Sequence, residues 1–291
     1  MNILFEIKSL RCSYDKDYVE GTSKVVLHIN HMVIPRGKKV FIVGESGIGK
    51  STILETLGMM NNTIVTSSDS VFRFYDQEGK SIELAQLWSG KKERELSDFR
   101  LRHYSFIFQS TNLMRNFTAF ENVAFTRMLQ GYSKYQCFQR TRKVLAELGM
   151  DHVDEKRMAH ELSGGQQQRL AFARAILPDF TVLFGDEPTG NLDGENAVRV
   201  MEILSNKLDE LGGASAIIVS HDMHLAVKFA DIIVKIRKEV CPKQQEFDEE
   251  IAYGVIDDSC VYKKDVDKQN HWTNGKISYE ESDFEVYLRK K

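Results

Sequence analysis

Between a strand-like run, Lys39-Val40-Phe41-Ile42-Val43, and a stretch of helix formers lies Gly44-Glu45-Ser46-Gly47-Ile48-Gly49-Lys50-Ser51. Glycines at this spacing, followed by Lys and Ser, let backbone N–H groups close around phosphate oxygens while the lysine reaches the terminal phosphates. Average composition would produce such a match by accident in roughly one chain in a hundred of this length. The flanks supply the context the motif needs: residues 39–43 read as a buried strand and residues 51–57 as an opening helix. This constrains the chain to an α/β sheet whose first parallel strand feeds a phosphate-binding loop.

Three further motifs follow in order. Gln109 comes after the apolar Phe106-Ile107-Phe108, then Leu162-Ser163-Gly164-Gly165-Gln166, then Asp186-Glu187 closing the run Thr181-Val182-Leu183-Phe184, with His221 after Ala216-Ile217-Ile218-Val219. Continuous apolar runs of that length suit parallel strands buried on both faces. Taken singly, Gln109 is an ordinary surface glutamine and a lone histidine is more often structural. Glu187, by contrast, directly follows Asp186 at the mouth of a buried strand. Order and spacing together resemble the ATP-binding cassette (ABC) ATPases from about residue 3 to residue 236. Within that family the resemblance is greatest to the lipoprotein-release, macrolide-export and cell-division group. It is carried by Phe106-Ile107-Phe108-Gln109, Thr118-Ala119-Phe120-Glu121-Asn122-Val123, Gly165-Gln166-Gln167-Gln168-Arg169 and Asp186-Glu187-Pro188-Thr189-Gly190-Asn191-Leu192-Asp193.

The resemblance implies an α/β fold: a P-loop NTPase, RecA-like core with an antiparallel β-subdomain and an α-helical signature subdomain. The nucleotide-binding domain would span 1–237, with the helical subdomain at about 111–168, and 238–291 would be a C-terminal extension of unknown role. ATP and Mg²⁺ are the expected ligands. Gly44, Glu45, Ser46, Gly47, Ile48, Gly49, Lys50, Ser51 and Thr52 would hold the phosphates at a helix N-terminus. Tyr14, with Tyr18 as a rival, would stack on adenine. Ser51 and Asp186 would hold Mg²⁺, with Gln109 contacting the ion and the attacking water. Glu187 is expected to be the general base or water positioner, and His221 to contact the γ-phosphate. Ser163, Gly164, Gly165 and Gln166 would bind ATP held by another subunit, so that two chains close over two nucleotides, and Asp193 would couple the two sites. The implied partners are an integral membrane permease and a second copy or similar ATPase chain, which would put the protein on the cytoplasmic face of the cell membrane.

Bulk properties fit that expectation. A net charge of −3 offers no global attraction to nucleic acid, and the basic patch Lys91-Lys92-Glu93-Arg94 is interleaved with acid. Cys12, Cys137, Cys241 and Cys260 lack C-x-x-C spacing, which argues against a zinc ribbon or disulfide frame. His221 with His224, and His28 with His31, have ligand spacing, but no cysteine or third histidine converges with them in sequence. The apolar runs are strand-sized, and residues 1–9 carry no secretory pattern. An alternative reading, a soluble ABC ATPase acting on nucleic acid or ribosomes, calls for a long coiled-coil arm or a second cassette. Roughly 110 residues separate Lys50 from Ser163, with no heptad run between them.

Periodicity adds local expectations. Residues 5–10 and 25–34 read as strands, and Val71-Phe72-Arg73-Phe74-Tyr75 with a turn at Glu78-Gly79 as a hairpin. Residues 82–102 are rich in charge and helix formers, 118–161 are helical, and a helix runs over 166–176. In the C-terminal segment Tyr253-Gly254-Val255-Ile256 reads as a strand. Leu113, Met114 and Phe117, after Gln109, offer an apolar surface for a partner helix, or else pack inside the helical subdomain.

Overall fold

The computed structural model describes all residues except 1, 16–17, 20–22, 90–92, 191, 242–250, 266–267, 269 and 291. Lys91, Lys92 and Asn191, singled out above, lie outside the described residues. The chain forms two compact units, residues 1–96 with 217–291, and residues 97–216.

The first unit contains a largely antiparallel sheet whose strands alternate in and out as their sequences do. Ile3–Ser13 pairs with Val25–Pro35 on one side and Val71–Tyr75 on the other, opposing Phe5 to Ile34 and Phe5 to Phe74. Leu4, Phe5, Ile7, Leu10, Leu27, Ile29, Phe72 and Phe74 are buried, and the Phe5 and Phe74 rings meet edge to face at 5.4 Å. Ser81–Glu83 completes the expected hairpin with Val71–Tyr75. Residues 82–102, read as helical, give the helices Leu84–Ser89 and Glu93–His103.

The same unit carries the phosphate-loop strand, Lys39–Val43, parallel to Ile232–Lys235. The C-terminal segment enters both of this unit's sheets. Ile251–Ile256, where a strand was expected, runs parallel to Val25–Pro35 with Gly254 beside Leu27. Val261–Lys264 pairs antiparallel with Ile232–Lys235 and is followed by His271–Thr273 and Ser278–Glu280. Helix Glu281–Arg289 closes over this edge, stacking Phe284 on the fully buried Trp272 at 5.2 Å. Lys235 Nζ donates to the carbonyls of Tyr287 and Lys290, satisfying the end of that helix.

In the second unit Tyr104–Ile107 and Val182–Asp186 run parallel, Ser105 opposite Leu183. Its helices are set by their caps. Thr118 with Glu121 opens Ala119–Leu129, Ser133 with Gln136 opens Lys134–Glu147, and Ser163 with Gln166 opens Gly164–Ile176. The last of these starts two residues before the expected 166, because Ser-x-x-Gln is a reciprocal cap and takes both glycines into the first turn. Asp193 caps Gly194–Glu210 through the Asn196 N–H at 2.9 Å.

Lys207 of Gly194–Glu210 is buried, 6% exposed, and its Nζ has no hydrogen-bond partner among the described residues. Burial, aided by Arg140 and Arg127 and opposed by Glu210 and Asp179, pushes it down from the ordinary 10.5 to about 8. Between pH 8 and 10.5 the unfolded chain therefore binds more protons than the folded one, and stability from this group rises with pH across that window. Lys207→Met is expected to stabilise the protein by about 2 to 3 kcal/mol at or below pH 8, with the gain fading toward pH 10.5. Melting curves of both proteins across that range measure it. A gain independent of pH rules out the buried charge as its cause.

Candidate active site

In the first unit the loop after Lys39–Val43 turns directly into helix Lys50–Leu57. Gly49 caps that helix at φ 100°, a left-handed conformation that makes a side chain there costly and lets the chain reverse within one residue. Lys50, the first helical residue, is buried at 6% exposure, and its Nζ donates to the carbonyls of Gly44 at 3.0 Å and Glu45 at 2.6 Å. The loop thus wraps its own cation while the first turn of the helix presents its N–H groups.

Tyr14 lies against this helix, its hydroxyl 3.2 Å from Thr52 Oγ1, and its ring is 59% exposed. Tyr18 shares the pocket lined by Tyr14, Asn61 and Ile64, but the contact with the loop helix belongs to Tyr14. His221 follows strand Ser215–Val219 and, with Gly44, Glu45 and Ser46, lines a pocket of about 820 Å³. Sequence reasoning missed the rest of that pocket, which includes Lys235, Lys238 and Tyr287. Lys238 pairs with Glu45 at 3.4 Å, and His224 pairs with Glu285 of the C-terminal helix at 3.5 Å. Nothing local in residues 238–291 announces these contacts.

In the second unit Asp186 ends its strand and Glu187 begins the turn, with φ 50°. A non-glycine residue held there costs of order 1 to 3 kcal/mol, which a surface acid has no reason to bear. Gln109 Nε2 donates to Glu187 Oε2 at 3.4 Å, so these two expected site residues meet. The loop after Gln109 is tied down from two sides. Buried Asn122 donates to the carbonyls of Met114, Phe117 and Thr118 and accepts from the Met114 N–H, while Arg174 donates to those of Thr111 and Asn112. Arg174 stands on the Gly164–Ile176 helix, so the Gln109 loop and the signature move on one support. Burial lowers the Arg174 pKa.

Ser163, Gly164 and Gly165 are exposed, and a Cβ on either glycine would meet nothing within 4 Å. The Ser163 hydroxyl accepts from the Gln166 N–H at 3.4 Å, and the Gln166 side chain is engaged with the Ser163 N–H and His152. A helix N-terminus with open space before it is a ready anion site. Asp193, expected to couple two sites, is used here as a helix cap, and the bond from the Asn196 N–H holds its carboxyl below the ordinary range. Leu113, Met114 and Phe117 are half-buried, Phe117 meeting Phe125 edge to face at 5.5 Å.

The family model for the ABC transporter matches residues 27–190. The chain belongs to the ABC transporter family. A lipoprotein-releasing system ATP-binding protein of Syntrophotalea carbinolica is 39% identical over 72% of this chain and 87% of its own length. A macrolide export ATP-binding/permease protein of Aggregatibacter actinomycetemcomitans is 37% identical over 81% of this chain, which spans only 34% of that protein. A dimeric ATP-binding cassette solved in a post-hydrolysis state with ADP and phosphate matches 80% of this chain and 94% of its own at a TM-score of 0.63 and 26% identity. The architecture is that of the ABC cassette, as the motifs implied. This ABC protein is an ATPase: it binds ATP and hydrolyses it to ADP and phosphate.

If the exposed ring at position 14 carries the adenine, Tyr14→Ala weakens ATP binding by the ~1 to 3 kcal/mol typical of a base stacked on an aromatic side chain, and Tyr14→Phe is nearly neutral. Equilibrium titration of both variants and of Tyr18→Ala measures this. Normal binding by Tyr14→Ala together with weak binding by Tyr18→Ala moves the assignment to Tyr18.

Proposed function

We propose that this chain is the ATPase subunit of a transport or mechanotransmission complex, paired with a second cassette and driving a separate membrane permease from the cytoplasmic face. The observation that carries the reading is the open helix N-terminus at Ser163-Gly164-Gly165 on the same chain as a complete phosphate loop. One helix start serves the nucleotide bound in cis. The other is built for an anion brought by a second subunit, so ATP favours the closed pair and hydrolysis, by removing the γ-phosphate contact, releases it. Relatives named for lipoprotein release and macrolide export support a transport output, and the dimeric cassette with ADP and phosphate supports pairing. Among the described residues no helix is long and apolar enough to cross a membrane.

In this reading the Gly44–Thr52 backbone and Lys50 bind the phosphates, and His221 contacts the γ-phosphate. The Ser51 hydroxyl, the Asp186 carboxylate and the Gln109 amide oxygen, hard-oxygen donors of the kind Mg²⁺ takes, would be its ligands, and the ion when bound would neutralise phosphate charge. Glu187 accepts the proton of the attacking water, or holds that water in line, and Gln109, hydrogen-bonded to Glu187, keeps the carboxylate aimed. The strained backbone at Glu187 supports an aimed role over a solvated one.

Glu187→Gln is expected to keep ATP binding and lower hydrolysis by about 10² to 10⁴. Single-turnover hydrolysis at saturating Mg·ATP tests it, and a mutant retaining most of the wild-type rate defeats the assigned role. Docking is tested separately. Leu113 and Met114 lie on the loop held by Asn122 and Arg174 and are half-buried, leaving surface for an apolar partner helix. Leu113→Asp with Met114→Asp should abolish co-purification with the permease while basal ATPase and melting temperature persist. A stable, active double mutant that still captures the permease overturns the docking role. A sharp fall in melting temperature instead assigns these side chains to packing, since carboxylates forced into a core cost several kcal/mol.

A further inference from the structure

The phosphate loop carries a charge of the wrong sign. Glu45 stands at its second position, and the Glu45 carbonyl accepts from the Lys50 ammonium at 2.6 Å, so a carboxylate hangs from a residue that holds the loop's own cation. A loop that binds anions gains nothing from a negative side chain. Mg·ATP arrives with net negative charge, and a like charge within a Debye length, about 8 Å at physiological ionic strength, opposes its entry. The chain answers with a lysine from outside the loop: Lys238 Nζ meets Glu45 Oε2 at 3.4 Å. Lys235 lines the same pocket, but its Nζ is committed to the carbonyls of Tyr287 and Lys290. The position of Lys238 is set by its strand. Arg237–Cys241 pairs antiparallel with Ile251–Ile256, which puts Lys238 opposite Gly254, and Gly254 is the residue whose missing side chain lets that strand lie against the Ile48 carbonyl of the loop. Arg237 is tied to Glu239 and to Asp257, which steadies the strand beside Lys238.

Folding stability does not account for the pair. The Lys238 side chain is 49% exposed and that of Glu45 33%, and an ion pair so open to water contributes little to the fold. On the reading of Gly44–Thr52 as the phosphate cradle, we propose that Lys238 is a positioning residue for ATP binding: it draws the Glu45 carboxylate aside and cancels its charge. The C-terminal segment, by placing Lys238, thereby sets the affinity of the loop for nucleotide. Because the effect is one of charge on charge, it scales with the charge of the ligand. Mg·ATP carries one more negative charge than Mg·ADP, so an uncovered Glu45 weakens ATP more than ADP. It acts on the binding of charge and not on the attacking water, so turnover at saturating ATP is untouched.

Equilibrium titrations of the full chain with Mg·ATP and Mg·ADP, together with steady-state hydrolysis, test this. Lys238→Met is expected to weaken Mg·ATP binding and raise KM by about 3- to 10-fold at low salt, to weaken Mg·ADP binding less, and to leave kcat and melting temperature at their wild-type values. The loss should shrink when the ionic strength is raised to about 0.5 M. Lys238→Arg should keep wild-type affinity, and Glu45→Gln added to Lys238→Met should restore it, because the charge that Lys238 covers is then gone. Normal Mg·ATP binding by Lys238→Met overturns the proposal. So does a loss of the same size in the Glu45→Gln background, or one that is equal for both nucleotides and indifferent to salt. Lys50→Ala separates the two levels of the argument. If that variant binds Mg·ATP as tightly as the wild type, the phosphate cradle itself has been misplaced and the role of Lys238 falls with it; if it binds weakly while Lys238→Met binds normally, only the role of Lys238 falls.

Discussion

The function proposed for this cassette depends on how a helix start meets negative charge. The first turn of a helix leaves backbone N–H groups without partners, and the chain places two such starts in contrasting ways. At Lys50 the turn is preceded by left-handed Gly49 and the lysine is folded back onto the carbonyls of Gly44 and Glu45, so cation and N–H groups form one rigid cradle. At Gly164 the cap is a side-chain box, and the glycines stay exposed with space in front of them. The first is a closed cup and the second an open plate. The proposed two-state clamp would use both, with the plate as the part offered to another subunit.

The loop after Gln109 is held by polar hubs. Asn122, fully buried, spends its amide on the carbonyls of Met114, Phe117 and Thr118 and accepts from the Met114 N–H. Arg174 does the same for Thr111 and Asn112 from the signature helix. A loop satisfied in this way cannot shift without exposing several buried donors and acceptors, each costing about 1 to 3 kcal/mol. Movement of the Gln109 loop is therefore bound to movement of the signature helix, which is the coupling a mechanical ATPase requires.

Much of the candidate site could be read from the sequence because its motifs are local. The phosphate loop sits in a strand–loop–helix context, Asp186-Glu187 ends an apolar run, and Ser-x-x-Gln is a cap that reads from sequence once it is looked for, although the helix was placed two residues late. The contact between Gln109 and Glu187 spans 78 positions, and no periodicity announces it. The same is true of Arg174 and Asn122, whose roles depend on which carbonyls the fold brings to them. Lys207 illustrates the limit: on a helix rich in charge it reads as a solvated lysine, and only the fold, which brings Arg127, Arg140 and Asp179 near it, makes it buried.

Residues 238–291 were the least legible, and the reason is physical. Their strands are short, and Ile251–Ile256 and Val261–Lys264 gain their meaning only by pairing with Val25–Pro35 and Ile232–Lys235. A strand of three to six residues carries little signal alone, because its stability comes from cross-strand partners. Gly254 shows how close that integration is. A Cβ there would stand 2.3 Å from the Ile48 carbonyl of the phosphate loop, an approach only glycine permits. Lys238 holds Glu45 from the same side, and the C-terminal helix reaches His224, three residues beyond His221. The segment thus braces the loop and the helix that follows His221 at once. A change that displaced it would loosen the phosphate cradle from behind, without altering any residue of the nucleotide motifs.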